Sequence, residues 1–247
     1  HWYWLQDGVV INDTLHLLPL RMKPFQNFFA VDGVTMISAP VRRHQPLADA
    51  IEVETPLFHI PVDGRGELIF GTSVLVNTDS AGSPSPDGYV YIYGTQNDPL
   101  NKKLLVARVL PKQFEDFDAW RFWNGTGWVA GIDNSKAMTG RLSSELSVSP
   151  LPDGRYILVF QVDTISAYVG IRIGDSPAGP WGPLIPIYTA PEAGLDPDIY
   201  TYNAKAYPHL SAPGELLISY NVNTLDFWDH FTYADIYRPR FIRLILQ

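Results

Sequence analysis

An all-β chain built of β-propeller blades is what this sequence predicts, and three observations predict it. The stretch Ser143 to Trp181 reads as three strand-like runs broken by a turn and closed by a Gly-Pro-Trp corner. The same order of strand, turn and strand recurs at three other places. With 46% hydrophobic and 13% aromatic residues against 18% charged ones, the chain is an ordered core-former rather than a solvated tail.

The first copy is WYWLQDGVVINDTLHLLPLRM, residues 2–22, with Asn12-Asp13 as its turn. The second, residues 68–94, runs from LIFGTSVLVNT through a loop rich in Ser, Pro and Gly to YVYIYG. In the third, SELSVSPL is a strand, Pro152-Asp153-Gly154 a tight turn, RYILVFQV a second strand and AYVGIRI a third. The fourth is NAKAYPHLSAPGELLISY, residues 203–220, followed by RPRFIRLIL as a third strand. The second strands start at Leu15, Tyr89, Tyr156 and Leu216, so successive copies are 74, 67 and 60 residues apart. A blade takes about 40–50 residues with short loops and more with elaborated ones, which gives four blades. Single blades cannot bury both faces, so they stack around an axis.

Closure of the ring is the irregular point. The chain opens at a first strand, and its last copy stops at a third. Propellers commonly close by letting one terminus complete the blade begun by the other. No upstream segment is at hand to do so, and the first residue is not Met, consistent with a processed chain or a fragment. Residues 1–247 are therefore expected to form a single propeller domain, N-terminally incomplete, with a missing segment or second chain completing it. A four-bladed ring with an incomplete last sheet is the alternative.

Composition excludes several classes. The net charge is −8, and no basic run exceeds Arg42-Arg43 or Lys102-Lys103, so no nucleic-acid partner is expected. There are no cysteines, hence no disulfides, Cys-based metal site or thiol nucleophile. No apolar run approaches the roughly 20 residues of a membrane-spanning helix. Asn12-Asp13-Thr14 and Asn124-Gly125-Thr126 match the glycosylation sequon, which matters only in a eukaryotic secretory route. The phosphate-loop, dinucleotide, zinc-protease, nucleophile-elbow and EF-hand patterns are absent. His1, His16, His44, His59, His209 and His230 show no ligand spacing and read as structural or surface residues.

What remains is polar chemistry at the open end of the blades. Glu145 stands just before an alternating apolar run, and Asp7 follows three aromatics and a Leu in WYWLQDG. Asn203, Lys205 and Tyr207 lie in TYNAKAYPHL, with Arg238 and Arg240 in DIYRPRF. Two carboxylates, an ammonium, an amide and two guanidinium groups suit one polar ligand. Each has a plainer reading. Glu145 can pair with Lys205, Asp7 beside Gly8 can form a turn, and Arg238 and Arg240 across Pro239 suit a structural salt bridge as well as a carboxylate clamp. Phe114, Phe117, Trp120, Phe122, Trp123 and Trp128 are expected to pack between blades, and Trp181 to pin a corner. Trp2, Tyr3 and Trp4 are candidates for stacking on a sugar ring.

Ser176-Pro177-Ala178-Gly179-Pro180-Trp181 resembles the S-P-x-G-P-W corner of five-bladed β-propeller glycoside hydrolases and related furanosidases. The likeness extends through YVYIYGT, LLVARV, LPDGRYILVFQ, YNAKAYPHLS and ELLISYNVN, over most of the chain. It is similar to the propellers classed as domains of unknown function and associated with endo-D-arabinanase-like activity. The resemblance implies a carbohydrate-active protein, secreted or periplasmic. It also implies five blades, of which the N-terminal one, bearing a catalytic Asp, would be absent here and Asp7 would belong to the second.

Glycoside hydrolysis needs one protonated carboxyl for the leaving oxygen and one ionised carboxyl to attack or activate water. Glu145 is the candidate acid, because an apolar-flanked Glu is easily held protonated. Asp7 is the candidate nucleophile, base or orienting carboxylate. Asn203, Lys205, Tyr207, Arg238, Arg240 and Trp4 are the candidate substrate contacts. The competing reading is a non-catalytic carbohydrate-binding propeller. No organic cofactor is expected; a central-channel Ca²⁺ would suit the fold, although no local ligand motif marks one.

Overall fold

The computed structural model describes residues 1–246 except 27, 43–46, 48, 99 and 100. Arg43 and His44 thus lie outside the described residues. The chain divides into two compact units, His1–Pro99 with Lys103–Met138 and Leu100–Lys102 with Thr139–Gln247. The fold class is the expected one: four blade-type antiparallel sheets, two per unit, with one four-residue α-helix among the described residues.

In the first unit, one sheet contains β1 (Trp2–Trp4), β2 (Gly8–Ile11), β3 (Thr14–Leu17), β4 (Leu20–Phe25), β5 (Phe28–Pro40) and β6 (Ile51–Glu54). Its order is β1-β4-β5-β3-β2, with β6 also on β5. Asn12 and Asp13 both take left-handed φ, 49° and 60°, the twist that a two-residue hairpin loop between β2 and β3 needs. The second sheet runs β12-β11-β10-β9-β8-β7. Its strands are β7 (Phe58–His59), β8 (Glu67–Asn77), β9 (Tyr89–Asn97), β10 (Lys103–Val109), β11 (Arg121–Trp123) and β12 (Trp128–Val129). Phe114, Trp120 and Phe122 are buried with Leu18, Val34, Leu68 and Ile92, apolar residues from both sheets. These three therefore pack between the two sheets, as expected, whereas Trp123 and Trp128 meet each other at 5.3 Å across β11 and β12, with Trp128 5.8 Å from Tyr91 of β9, all within the second sheet. Phe117 is partly buried against the same cluster.

The second unit begins with the sheet β13 (Leu146–Pro150), β14 (Tyr156–Gln161), β15 (Tyr168–Gly174) and β16 (Ile185–Thr189). The Pro152-Asp153-Gly154 turn closes through a bond from the Gly154 N–H to the Leu151 carbonyl, 3.0 Å, with Gly154 at φ 88°. Trp181 bridges Gly174, where an added Cβ would come within 2.8 Å of the indole, so the corner is pinned as expected. The other sheet has three strands among the described residues, β17 (Ile199–Ala206), β18 (Glu215–Thr224) and β19 (Arg240–Ile245). Helix α1 (Asp229–Thr232) lies in the connection from β18 to β19. Val159, Val169, Ile218, Tyr220 and Val222 lie in the core of this unit.

Candidate functional site

Glu145 stands immediately before β13. The Ser143 hydroxyl donates to the Glu145 carbonyl and accepts the Gln161 N–H at 3.1 Å, tying this turn to the end of β14. Burial raises the Glu145 carboxyl above the usual carboxylate range, against the opposing pull of Lys205 and Lys102. Its charge is felt in turn by Tyr200 and Tyr202, whose hydroxyls are raised first by burial.

Strand β17 supplies these neighbours through a break in its own alternation. Ile199 and Thr201 are buried while Tyr200 and Tyr202 are half-buried; after the break Ala204 and Ala206 are buried and Asn203 and Lys205 are half-buried. A bulge between Tyr202 and Lys205, with Asn203 at φ 58°, shifts the phase by one residue. Tyr200, Tyr202, Asn203 and Lys205 are thereby all kept out of the core. The Asn203 Oδ1 is buried and has no hydrogen-bond partner. An acceptor in that state calls for a donor from a ligand or a water molecule.

Beside these residues a cavity of about 170 Å³ is lined by Tyr202, Asn221, Val222, Tyr237, Arg238 and Pro239. Arg238 pairs with Asp235 at 2.8 Å, both exposed. Arg240 is engaged elsewhere: its Nε donates to Glu192 at 3.0 Å, and Glu192 also accepts the Tyr220 hydroxyl at 2.9 Å. Tyr207 is half-buried next to β17, and its hydroxyl accepts from Ser219 at 3.2 Å.

In the first unit, the Asp7 carboxylate accepts two backbone N–H groups, from Gly8 at 2.9 Å and from Val74 at 2.8 Å. Trp4 is 42% exposed, with the Phe29 ring edge-on at 4.5 Å. The Tyr3 hydroxyl donates to Glu52 at 2.8 Å. Asp7 and Trp4 thus belong to one unit, whereas Glu145, Asn203, Lys205, Tyr207, Arg238 and Arg240 belong to the other.

Residues 1–245 match the family described as a domain of unknown function, DUF5005. The chain belongs to that family. No curated protein matches the sequence. Among solved structures, a "putative hydrolase" of Bacteroides ovatus superposes with a TM-score of 0.70 at 21% identity, over 98% of this chain and 60% of that one. The DUF5005 chain thus spans less than two thirds of that relative. An α-L-arabinofuranosidase of Clostridium thermocellum gives a TM-score of 0.54 at 11% identity, over 98% of this chain and 68% of that one. A β-fructofuranosidase of Bombyx mori gives 0.52 at 14%, over 95% and 46%. At these identities the likeness establishes a fold shared with glycoside hydrolases.

Three groups in the DUF5005 domain escape the sequence argument. Asp196, Asp198 and Asp229 place carboxylate oxygens within 4.8 Å of one another and could hold a cation. They match no continuous ligand motif, because Asp229 arrives from α1. Tyr237 sits in the DIYRPRF segment, beside the arginines that attract attention by charge. Phe227, Trp228 and Phe231, in LDFWDHF, are exposed although aromatic. No helix among the described residues is long and apolar enough to cross a membrane.

Proposed function

We propose that this DUF5005 domain is a glycoside hydrolase in which Glu145 donates the proton to the leaving oxygen. The observation that carries the reading is the half-buried Glu145 at the head of β13, a strand joined to β17 by the Ala206 N–H donating to Ser147 at 2.8 Å, with the unpartnered Asn203 Oδ1 on β17. Burial raises the Glu145 carboxyl. A general acid must hold its proton at working pH and deliver it to a departing alkoxide, and desolvation equips it for both. Lys205 keeps the ionised product of that step tolerable. The Asn203 Oδ1 accepts a sugar hydroxyl, and the tyrosines pack against the sugar's C–H faces. Arg238 and Tyr207 are proposed as further substrate contacts. The reaction requires a second carboxyl. The sequence's candidate for it is Asp7, with Trp4 as a stacking residue, both in the first unit.

The fold shared with an arabinofuranosidase and a fructofuranosidase supports this class. The S-P-A-G-P-W resemblance favours a furanoside polysaccharide of arabinan type, with secretion or a periplasmic location following from a polymeric substrate. A structural Ca²⁺ belongs to the same proposal. Turnover of arabinan and xylan by wild type and Glu145→Gln tests the reading. The variant is expected to lose about 10²–10⁴ in kcat, and less on aryl glycosides whose leaving group needs no proton. Unchanged turnover of the polysaccharide overturns it.

A second reading, a carbohydrate-binding propeller without turnover, is favoured by one observation. Both oxygens of Asp7 are committed to backbone N–H groups, as in a structural carboxylate. Binding of the same glycans with no hydrolysis by wild type would select it.

A further inference from the structure

The connection between β18 and β19 exposes aromatic surface that the chemistry above does not use. Phe227, Trp228 and Phe231 are 67%, 70% and 70% exposed. They are nevertheless in contact, with Phe227 5.9 Å from Trp228 and 6.0 Å from Phe231, and Trp228 5.6 Å from Phe231. Aromatic surface gathered in water rather than scattered marks an interaction site.

This terrace is continuous with the candidate site. His230 lies 5.9 Å from Phe227 and, edge-on at 90°, 5.8 Å from Tyr237. Tyr237 in turn lines the cavity with Tyr202 and Arg238. Tyr202 shares that lining on β17, the strand that also carries Asn203 and Lys205. A series of rings, Tyr237, His230 and Phe227, therefore leads from the cavity to Phe231.

The chemistry of the rim selects the occupant. Sugar rings offer apolar C–H faces to aromatic surfaces and hydroxyls to polar groups at their edges. Asp226, Asp229, His230 and Arg238 stand among or beside the rings. Asp226 is fixed by the Trp228 N–H at 2.9 Å and Asp229 by the Thr224 hydroxyl at 2.6 Å. Asp226, Asp229 and Asp235 disfavour anionic lipid and uronate-rich chains alike. We propose that Phe227, Trp228 and Phe231 form an outer subsite that holds the backbone of a neutral polysaccharide, whose adjoining residues occupy the cavity at Tyr202 and Tyr237. The inference rests on the carbohydrate reading and deepens it to recognition within a chain.

Affinity electrophoresis in gels containing arabinan, xylan or galactan, with polygalacturonate as the anionic control, tests this without requiring turnover. Wild type is expected to be retarded by at least one neutral glycan, and Trp228→Ala and Phe231→Ala to bind it roughly tenfold more weakly. Trp228→Phe should restore most of the retardation, and all variants should keep the wild-type melting temperature. Glu145→Gln should remain retarded. If Glu145→Gln still hydrolyses the glycan while Trp228→Ala loses retardation, the acid assignment fails and the subsite stands. The subsite is overturned by any of three results: no retardation by a neutral glycan, undiminished retardation of both alanine variants, or a change of oligomeric state as the effect of the alanine variants in sedimentation.

Discussion

Asp7 and Val74 are joined by a 2.8 Å bond in which the Val74 backbone N–H donates to the Asp7 carboxylate. Val74 lies on β8, and Asp7 lies in the segment between β1 and β2, so one side chain ties two sheets of the first unit. The Leu18 N–H, donating to the Asp7 carbonyl at 3.1 Å, fixes the same segment from behind. Such a carboxylate is a structural member whatever else it does.

Asp7→Asn turns one acceptor oxygen into an amide donor that meets a backbone N–H. Denaturant unfolding should show a loss of about 1–3 kcal/mol, the cost of leaving a buried donor unsatisfied. Lost turnover with unaltered stability would instead give Asp7 a purely chemical role.

Glu145 makes stability depend on pH in a direction that can be worked out. Burial raises its carboxyl, so the folded chain holds a proton that the unfolded chain has already released. Its favourable contribution is complete below the ordinary glutamate value of about 4.3 and is lost as pH rises through the folded value. Glu145→Gln has no such proton to lose. Urea unfolding at a series of pH values should find the variant gaining on wild type as pH rises, then levelling. An advantage that shrinks with pH would mean that Lys205 and Lys102 outweigh desolvation.

Much of the blade structure is legible in sequence because turns carry local chemistry. Asn12-Asp13 and Pro152-Asp153-Gly154 mark their hairpins correctly, since left-handed φ restricts the residue types that fit. The thirteen-residue β5 is less legible, because it pairs with β4, β3 and β6 and no single alternation describes it. Strand β16 escapes notice because Pro186 interrupts a short, half-exposed run. At the site, an ammonium at Lys205 among apolar residues points to a carboxylate, and the charge of Lys205 pulls the Glu145 carboxyl down against its burial. Arg240 illustrates the limit. Its partner Glu192 is 48 residues away, and spacing alone cannot reveal it.

Gly94 on β9 faces the bulge between Phe70 and Ser73, where Gly71 takes φ 112°. A Cβ on Gly94 would lie 2.2 Å from the Ile69 carbonyl oxygen and 2.8 Å from the Phe70 Cα, both backbone atoms. Gly94→Ala should therefore cost roughly 1–3 kcal/mol, as overpacking does where neither side can yield. Gly127, whose added Cβ would meet nothing within 4 Å, supplies the control. Gly127→Ala should stay within about 0.5 kcal/mol of wild type, and equal effects at the two positions would contradict the close approach.

Asn203 separates backbone geometry from recognition. Its φ of 58° sets the bulge that turns Lys205 and Tyr202 out of the core, and its Oδ1 is buried without a partner. Glycine adopts this conformation without steric cost, whereas an alanine Cβ clashes, so Asn203→Ala should be about 1 kcal/mol less stable than Asn203→Gly. Asn203→Gly should also match or exceed wild type in stability, because it removes an unsatisfied buried acceptor. If that acceptor meets a sugar hydroxyl, both variants should bind glycan more weakly by about 1 kcal/mol, near fivefold, despite their different stabilities. Paired melting curves and binding isotherms decide the matter. Full affinity in Asn203→Gly would leave the residue a backbone device alone, and equal stability of the two variants would remove the left-handed bulge as the reason for an asparagine at this position.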